Sequence, residues 1–131
     1  MRTDVPEDAV VIRFRPTDPQ SVLNSAEKEA RRTGGRWGVS IFAAARRPGE
    51  STEEVIARLL VASELSGIDP SSNRKYFVCA QAKELLDEGF MFWKDEDDDE
   101  LREHYTVVLG EPPTLDDAER FLRAFGEARR R

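Results

Sequence analysis

His104 is the only histidine of the chain, and Tyr105 stands beside it in the segment EHYTVVL. An imidazole titrates near neutrality and can give or take a proton, which makes His104 the candidate general acid or base. Glu103 and Glu100 are its neighbours in sequence and would stabilise the protonated ring. Joined to arginines that hold a phosphate, the pair fits metal-independent RNA cleavage, with Tyr105 as an accessory group. A single histidine without a partner motif is more often a surface or half-buried residue than a catalytic one. Arg13 and Arg15 fall on one face of a strand, Arg36 opens a second strand, and Arg74 with Lys75 opens a third. If those ends are neighbours they form a basic cluster for RNA phosphate or an acidic ligand. If not, they are solvated strand ends pairing with Asp18, Glu27 or Glu29, contacts worth about 0 to 1 kcal/mol each.

The other concentrated chemistry is acidic. Asp95, Glu96, Asp97, Asp98, Asp99 and Glu100 form an unbroken run. Hard divalent cations favour several carboxylate oxygens around one point, but the run fails the EF-hand pattern: counted from Asp95, the sixth position is Glu100 rather than glycine and the twelfth is Thr106 rather than glutamate. The run therefore reads as a solvated hairpin loop or as an acidic docking surface for a protein, a nucleic-acid-mimicking surface included. It follows directly on FMFWK, where Met91 and Trp93 have the character of interface hot spots. Cys79 lies between Val78 and Ala80 and reads as a small buried hydrophobe; Lys75 is the nearest cation that could activate it.

Several chemistries are excluded by composition. One cysteine and one histidine rule out a closed Cys/His zinc site, CxxC redox chemistry and an internal disulfide. The motifs GxGxxG after the first strand, GxxxxGK[ST], GxSxG and HExxH are absent, so no cofactor is expected. The glycines of RTGGRWG follow a helix rather than a strand and read as its termination.

The elements that must position these residues follow from periodicity. AVVIRFR alternates Val10, Ile12 and Phe14 with Val11, Arg13 and Arg15, predicting a strand with a basic outer end. Asp18, Pro19 and Gly34 bound a helix over about 19 to 33. RWGVSIFAA, opened by Arg36, reads as an apolar central strand, and Ser51 with Glu54 opens a second helix ending near Gly67. KYFVC is a third strand, AQAKELLDEG a short helix, and FMFWK and YTVVL form an antiparallel hairpin with a long loop. Thr114 with Asp117 caps a last amphipathic helix carrying Leu115, Ala118, Phe121, Leu122 and Phe125, whose Arg-rich end suits its dipole. The expected fold is α+β: a mixed sheet of about five strands with about four helices, in the order β-α-β-α-β-α-β-β-α.

With 131 residues, 39% apolar and 35% charged, the chain reads as a single globular domain, fraying over 1–8 and 127–131. No apolar run reaches membrane-spanning length and the N-terminus lacks the apolar core of a signal peptide, so a cytoplasmic protein with no membrane partner is expected. The net charge of −6 is unevenly spread: +2 over residues 1–83, −12 over 84–119 and +4 over 120–131. An acidic pole of that size repels nucleic acid and attracts basic proteins. Sixteen arginines against four lysines match the bias of a GC-rich bacterial genome and are poor evidence for phosphate binding. The expected function is thus a small interaction module, a regulator, inhibitor or accessory subunit as in toxin-antitoxin or phage-defence systems, docking a basic partner through the acidic hairpin and the aromatic strand. The alternatives are the ribonuclease-like toxin enzyme built on His104 and an RNA-binding module on the basic strand ends. An unpaired edge strand or the Phe121 and Phe125 face could support a homodimer.

Overall fold

The computed structural model describes residues 2–14, 17–65, 75–94 and 102–131. Its elements are β1 (Arg2–Thr3), β2 (Val10–Phe14), α1 (Pro19–Thr33), β3 (Trp37–Ala44), α2 (Thr52–Leu65), β4 (Tyr76–Gln81), α3 (Ala82–Asp87), β5 (Met91–Trp93), β6 (His104–Gly110), α4 (Leu115–Arg123) and β7 (Arg129–Arg130). All nine elements expected from periodicity are present, and the fold is α+β. The sheet differs from expectation in two details. It has seven strands, in the order β1-β5-β6-β3-β2-β4-β7, and every described pairing is antiparallel rather than mixed. The two additional strands are two-residue edges, too short to show alternation, and they occupy stretches expected to fray.

Local signals set the helix ends. The Asp18 carboxylate accepts from Ser21 N at 3.0 Å with Pro19 in the first turn, and Gly34, at φ +80°, donates its N–H to Ala30 O. Ser51 and Glu54 exchange side-chain and backbone hydrogen bonds at the head of α2, as Thr114 and Asp117 do at α4. Phe125 lies beyond α4, which ends at Arg123.

The sheet is covered on both faces. Val22 and Ala26 of α1, Ala82 and Leu85 of α3, and Ala118 and Phe121 of α4 pack on Val11, Val39, Ile41, Ala43, Phe92, Val107 and Leu109. Val55, Ile56 and Leu59 of α2 pack on Val10, Ile12, Phe14, Phe42 and Phe77. Strand β3 has β2 and β6 as neighbours and feeds both cores, which accounts for its nearly unbroken apolar sequence.

Gly38 marks a close approach between β3 and β6. A Cβ there would run into Thr106 Cγ2 and stand 3.2 Å from the Val107 carbonyl oxygen. Gly38→Ala should therefore cost about 1 to 3 kcal/mol by overpacking. Adding Thr106→Ser, which removes the obstructing methyl, should recover most of that loss. Thermal melts of the two single variants and the double variant check the coupling, and strictly additive losses would contradict it.

Candidate functional site

Strands β5 and β6 pair at Met91↔Val108, Phe92↔Val107 and Trp93↔Thr106, so the chain between them closes the expected antiparallel hairpin. Lys94 fastens its base, with Nζ donating to the carbonyls of Arg102 at 2.7 Å and His104 at 2.6 Å. The acidic run Asp95 to Glu100 lies outside the described residues, as do Arg15 and Arg74.

The pleat separates the FMFW side chains. Phe90 and Phe92 enter the core beneath α1, α3 and α4, while Met91 and Trp93 point to the other face and stay half-buried. The α2 core does not reach them. Around them are Val108, Thr106 and, one strand further in, the exposed Ser40. Arg2 is the cross-strand partner of Trp93. The Arg36 guanidinium stands 5.4 Å from the Trp93 ring centroid and is paired with Glu29 at 2.9 Å. Arg36 is thus one of the ion-paired strand ends, and its charge is answered by Glu29. The Trp93 indole Nε1 is buried without an acceptor. An indole N–H normally finds a partner when buried, so this donor is an unmet polar group inside the packing around Trp93.

His104 and Tyr105 point to opposite faces of β6. His104 lies opposite Phe42, its ring edge-on to the Phe42 ring at 5.5 Å, on the α2 side. Tyr105 lies opposite Ile41 on the other face, edge-on to Phe92 and with Lys94 Nζ 4.2 Å from its ring centroid. The two side chains do not converge on one substrate.

Arg13 departs furthest from expectation. Instead of a basic outer end of β2 it is a buried cation, 5% exposed, with Nη1 donating to Ser40 O at 2.7 Å and its guanidinium 5.8 Å from the Phe121 ring centroid. Its Nε has no acceptor, and among the described residues no carboxylate pairs with it. Burial pushes its pKa well below the ordinary guanidinium value, down to about 10. The physical reason for the misplacement is coverage: the face of β2 that carries a charged residue also lies beneath helices. Arg13 and Arg36 therefore form no exposed cluster, and with His104 and Tyr105 divided between two faces these placements lend the RNA-cleavage reading no support.

Cys79 is half-buried opposite Ile12, and its cationic neighbour is Arg129, Nη1 to Sγ 4.0 Å, rather than Lys75. Among the described residues no group of three or more His, Cys, Asp or Glu side chains is placed to hold a metal ion, and no helix is long and apolar enough to cross a membrane. Sequence reasoning missed Glu53, Glu64, Arg129 and Arg131. The last two read as a helix-dipole tail but lie in and just beyond β7, each joined to a glutamate of α2. The only signal in the sequence was the unbroken triple arginine.

Comparison with known protein families, characterised proteins and solved structures gave no match.

Proposed function

We propose that this protein is a small protein-interaction module, a regulator, inhibitor or accessory subunit, that docks a partner with a basic surface through Met91, Trp93 and the acidic run Asp95 to Glu100. The observation that carries the reading is the placement of Met91 and Trp93 side by side on one half-buried sheet face outside the α2 core. Aromatic and methionine side chains at the rim of a sheet are the residue types that dominate interface energies. The acidic run begins two positions after Trp93 in the sequence, so apolar anchor and charge belong to one short stretch of chain. In this arrangement the carboxylates steer a basic partner and Trp93 supplies most of the affinity.

The reading separates those two roles by experiment. A tagged chain is used to recover partners from native cytosol, with mass spectrometry and a 260/280 nm absorbance ratio on the eluate. Association is then followed as a function of salt. Trp93→Ala should weaken the complex by about 2 kcal/mol or more, mainly through faster dissociation. Reversing Asp97, Asp98 and Asp99 to Lys should slow association at low salt by about tenfold or more and flatten its salt dependence. A partner whose affinity ignores both changes, or an eluate holding RNA without protein, overturns the proposal.

A further inference from the structure

The end of the chain forms a two-pronged contact at the sheet edge opposite β5. Strand β7 pairs with β4 at Tyr76↔Arg130 and Phe77↔Arg129, and the contact continues through Arg131 N to Lys75 O at 2.9 Å and Gly126 N to Cys79 O at 3.0 Å. Arg129 and Arg131, two positions apart in an extended segment, each find an aromatic ring and a carboxylate. The Arg129 guanidinium stands 5.5 Å from the Phe77 ring centroid and donates to Glu53 Oε2 at 2.6 Å and Oε1 at 3.2 Å. The Arg131 guanidinium stands 4.9 Å from the Phe14 ring centroid, and its Nη2 donates to Glu64 Oε1 at 3.0 Å, Ser63 Oγ at 3.3 Å and Leu60 O at 3.4 Å. Glu53 and Glu64 are eleven residues apart, about three turns, and so lie on one stripe of α2. Ser63 is a fully buried hydroxyl inside the second seat, and the Arg131 side chain is only 7% exposed.

Such seats recognise a pattern. A ring beside the guanidinium together with several acceptors, bidentate from Glu53 in the first seat and from Glu64, Ser63 and the Leu60 carbonyl in the second, suits guanidinium better than ammonium, and a period of two suits a strand. The resident segment is held unevenly: β7 pairs at two residues and the Arg129–Glu53 bridge is solvent-facing, with 41% and 68% of the side chains exposed, whereas Arg131 is the buried anchor. We propose that the β4 edge and the flank of α2 form a docking groove for an extended segment with arginine at alternate positions, supplied by a partner protein, and that β7 is its resident occupant. The partner's strand displaces β7 and adds to β4 by backbone hydrogen bonding, its two arginines taking the Phe77/Glu53 and Phe14/Glu64 seats. The groove lies at the other edge of the sheet from Met91 and Trp93, so this inference stands or falls separately from the docking surface proposed there.

A labelled peptide with the sequence of residues 126–131 is the probe, and fluorescence anisotropy the readout. The 131-residue chain carrying Arg129→Ala and Arg131→Ala should bind it at least about tenfold more tightly than wild type, whose own strand competes at a high effective concentration. Lysines in place of the first and third peptide arginines should weaken binding by about fivefold or more. Adding Glu53→Gln and Glu64→Gln to the receptor should abolish it. A cooperatively folded receptor variant that shows no binding, or binding indifferent to the two glutamines, overturns the proposal. Should the receptor variant fail to fold, wild type at millimolar peptide is followed by amide NMR: shifts at Tyr76–Cys79 and Arg129–Arg131, with Met91 and Trp93 unmoved, support the groove, and their absence overturns it. Wild type that dimerises through β7, losing the dimer in the Arg129→Ala, Arg131→Ala variant, replaces the partner with a second copy and overturns the assignment of occupant.

Discussion

Phe121→Ala should lower stability by about 3 to 5 kcal/mol, a fall in melting temperature of roughly 10 to 20 °C for a chain of this size. Phe121 is fully buried and packs edge-on against Phe90, 6.0 Å away, and Phe125, 5.2 Å away. Helix α4 has nine residues, too few to be stable alone, so its place depends on the side chains it buries. Those are Ala118 and Phe121, and alanine at 121 leaves a void between α4 and the sheet that neither can close. The capping box of Thr114 and Asp117 survives the change, so the helix should keep its start and lose its docking. Phe121→Leu, which keeps most of the apolar volume, should cost markedly less. Circular dichroism melts of the three proteins check this; a loss below about 1.5 kcal/mol for the alanine variant would mean that the site collapses freely and that α4 is not held by this ring.

The second large effect is a change of charge sign at Arg13. Arg13→Glu should cost more than about 3 kcal/mol, whereas Arg13→Met should stay within about 1 kcal/mol of wild type. The contrast follows from what the guanidinium touches. Burial that lowers its pKa to about 10 corresponds to a desolvation penalty of about 3 kcal/mol at neutral pH, with each pKa unit worth about 1.4. One charge-assisted hydrogen bond to Ser40 O and the electron-rich face of Phe121 offset a comparable amount. Methionine keeps the unbranched stem and removes both sides of that balance. Glutamate instead directs a carboxylate at a carbonyl oxygen and a ring face, with no cation of its own to meet. Burial then raises the pKa of the new carboxyl, so the penalty is present in full above that raised value and shrinks as pH falls towards the ordinary glutamate range near 4.3. Urea titrations of both variants between pH 7 and pH 4 test the sign. Equal stability of the glutamate and methionine variants at pH 7 would show that position 13 is solvated.

The starts of α1, α2 and α4, the end of α1 and the faces of the strands were legible in the sequence because their causes act within a few residues. Asp18 with Pro19, Gly34, Ser51 with Glu54, and Thr114 with Asp117 work through hydrogen bonds to their own turns, and they stand where periodicity placed them. Alternation within AVVIRFR and FMFW likewise divided Val10 from Val11 and Met91 from Phe92 without reference to the rest of the chain. What covers each face is a different matter, because it depends on segments far away in sequence. Arg13 looked solvent-facing since charged residues usually are, and only α4, more than a hundred residues further on, places Phe121 against it. Strand direction is equally non-local: a β-α-β order fits parallel and antiparallel neighbours alike, and the hydrogen-bond partners of β3 decided for the antiparallel sheet. The edge strands β1 and β7 carry no pattern of their own, since two residues cannot alternate; they are strands because β5 and β4 offer them unpaired edges. The sequence by itself thus determined where the chain turns and which residues share a face. Only the tertiary structure decided which charges are buried, which faces remain open, and that two arginines at the end of the chain lie against two glutamates of α2, because those outcomes depend on contacts between residues that sequence proximity does not relate.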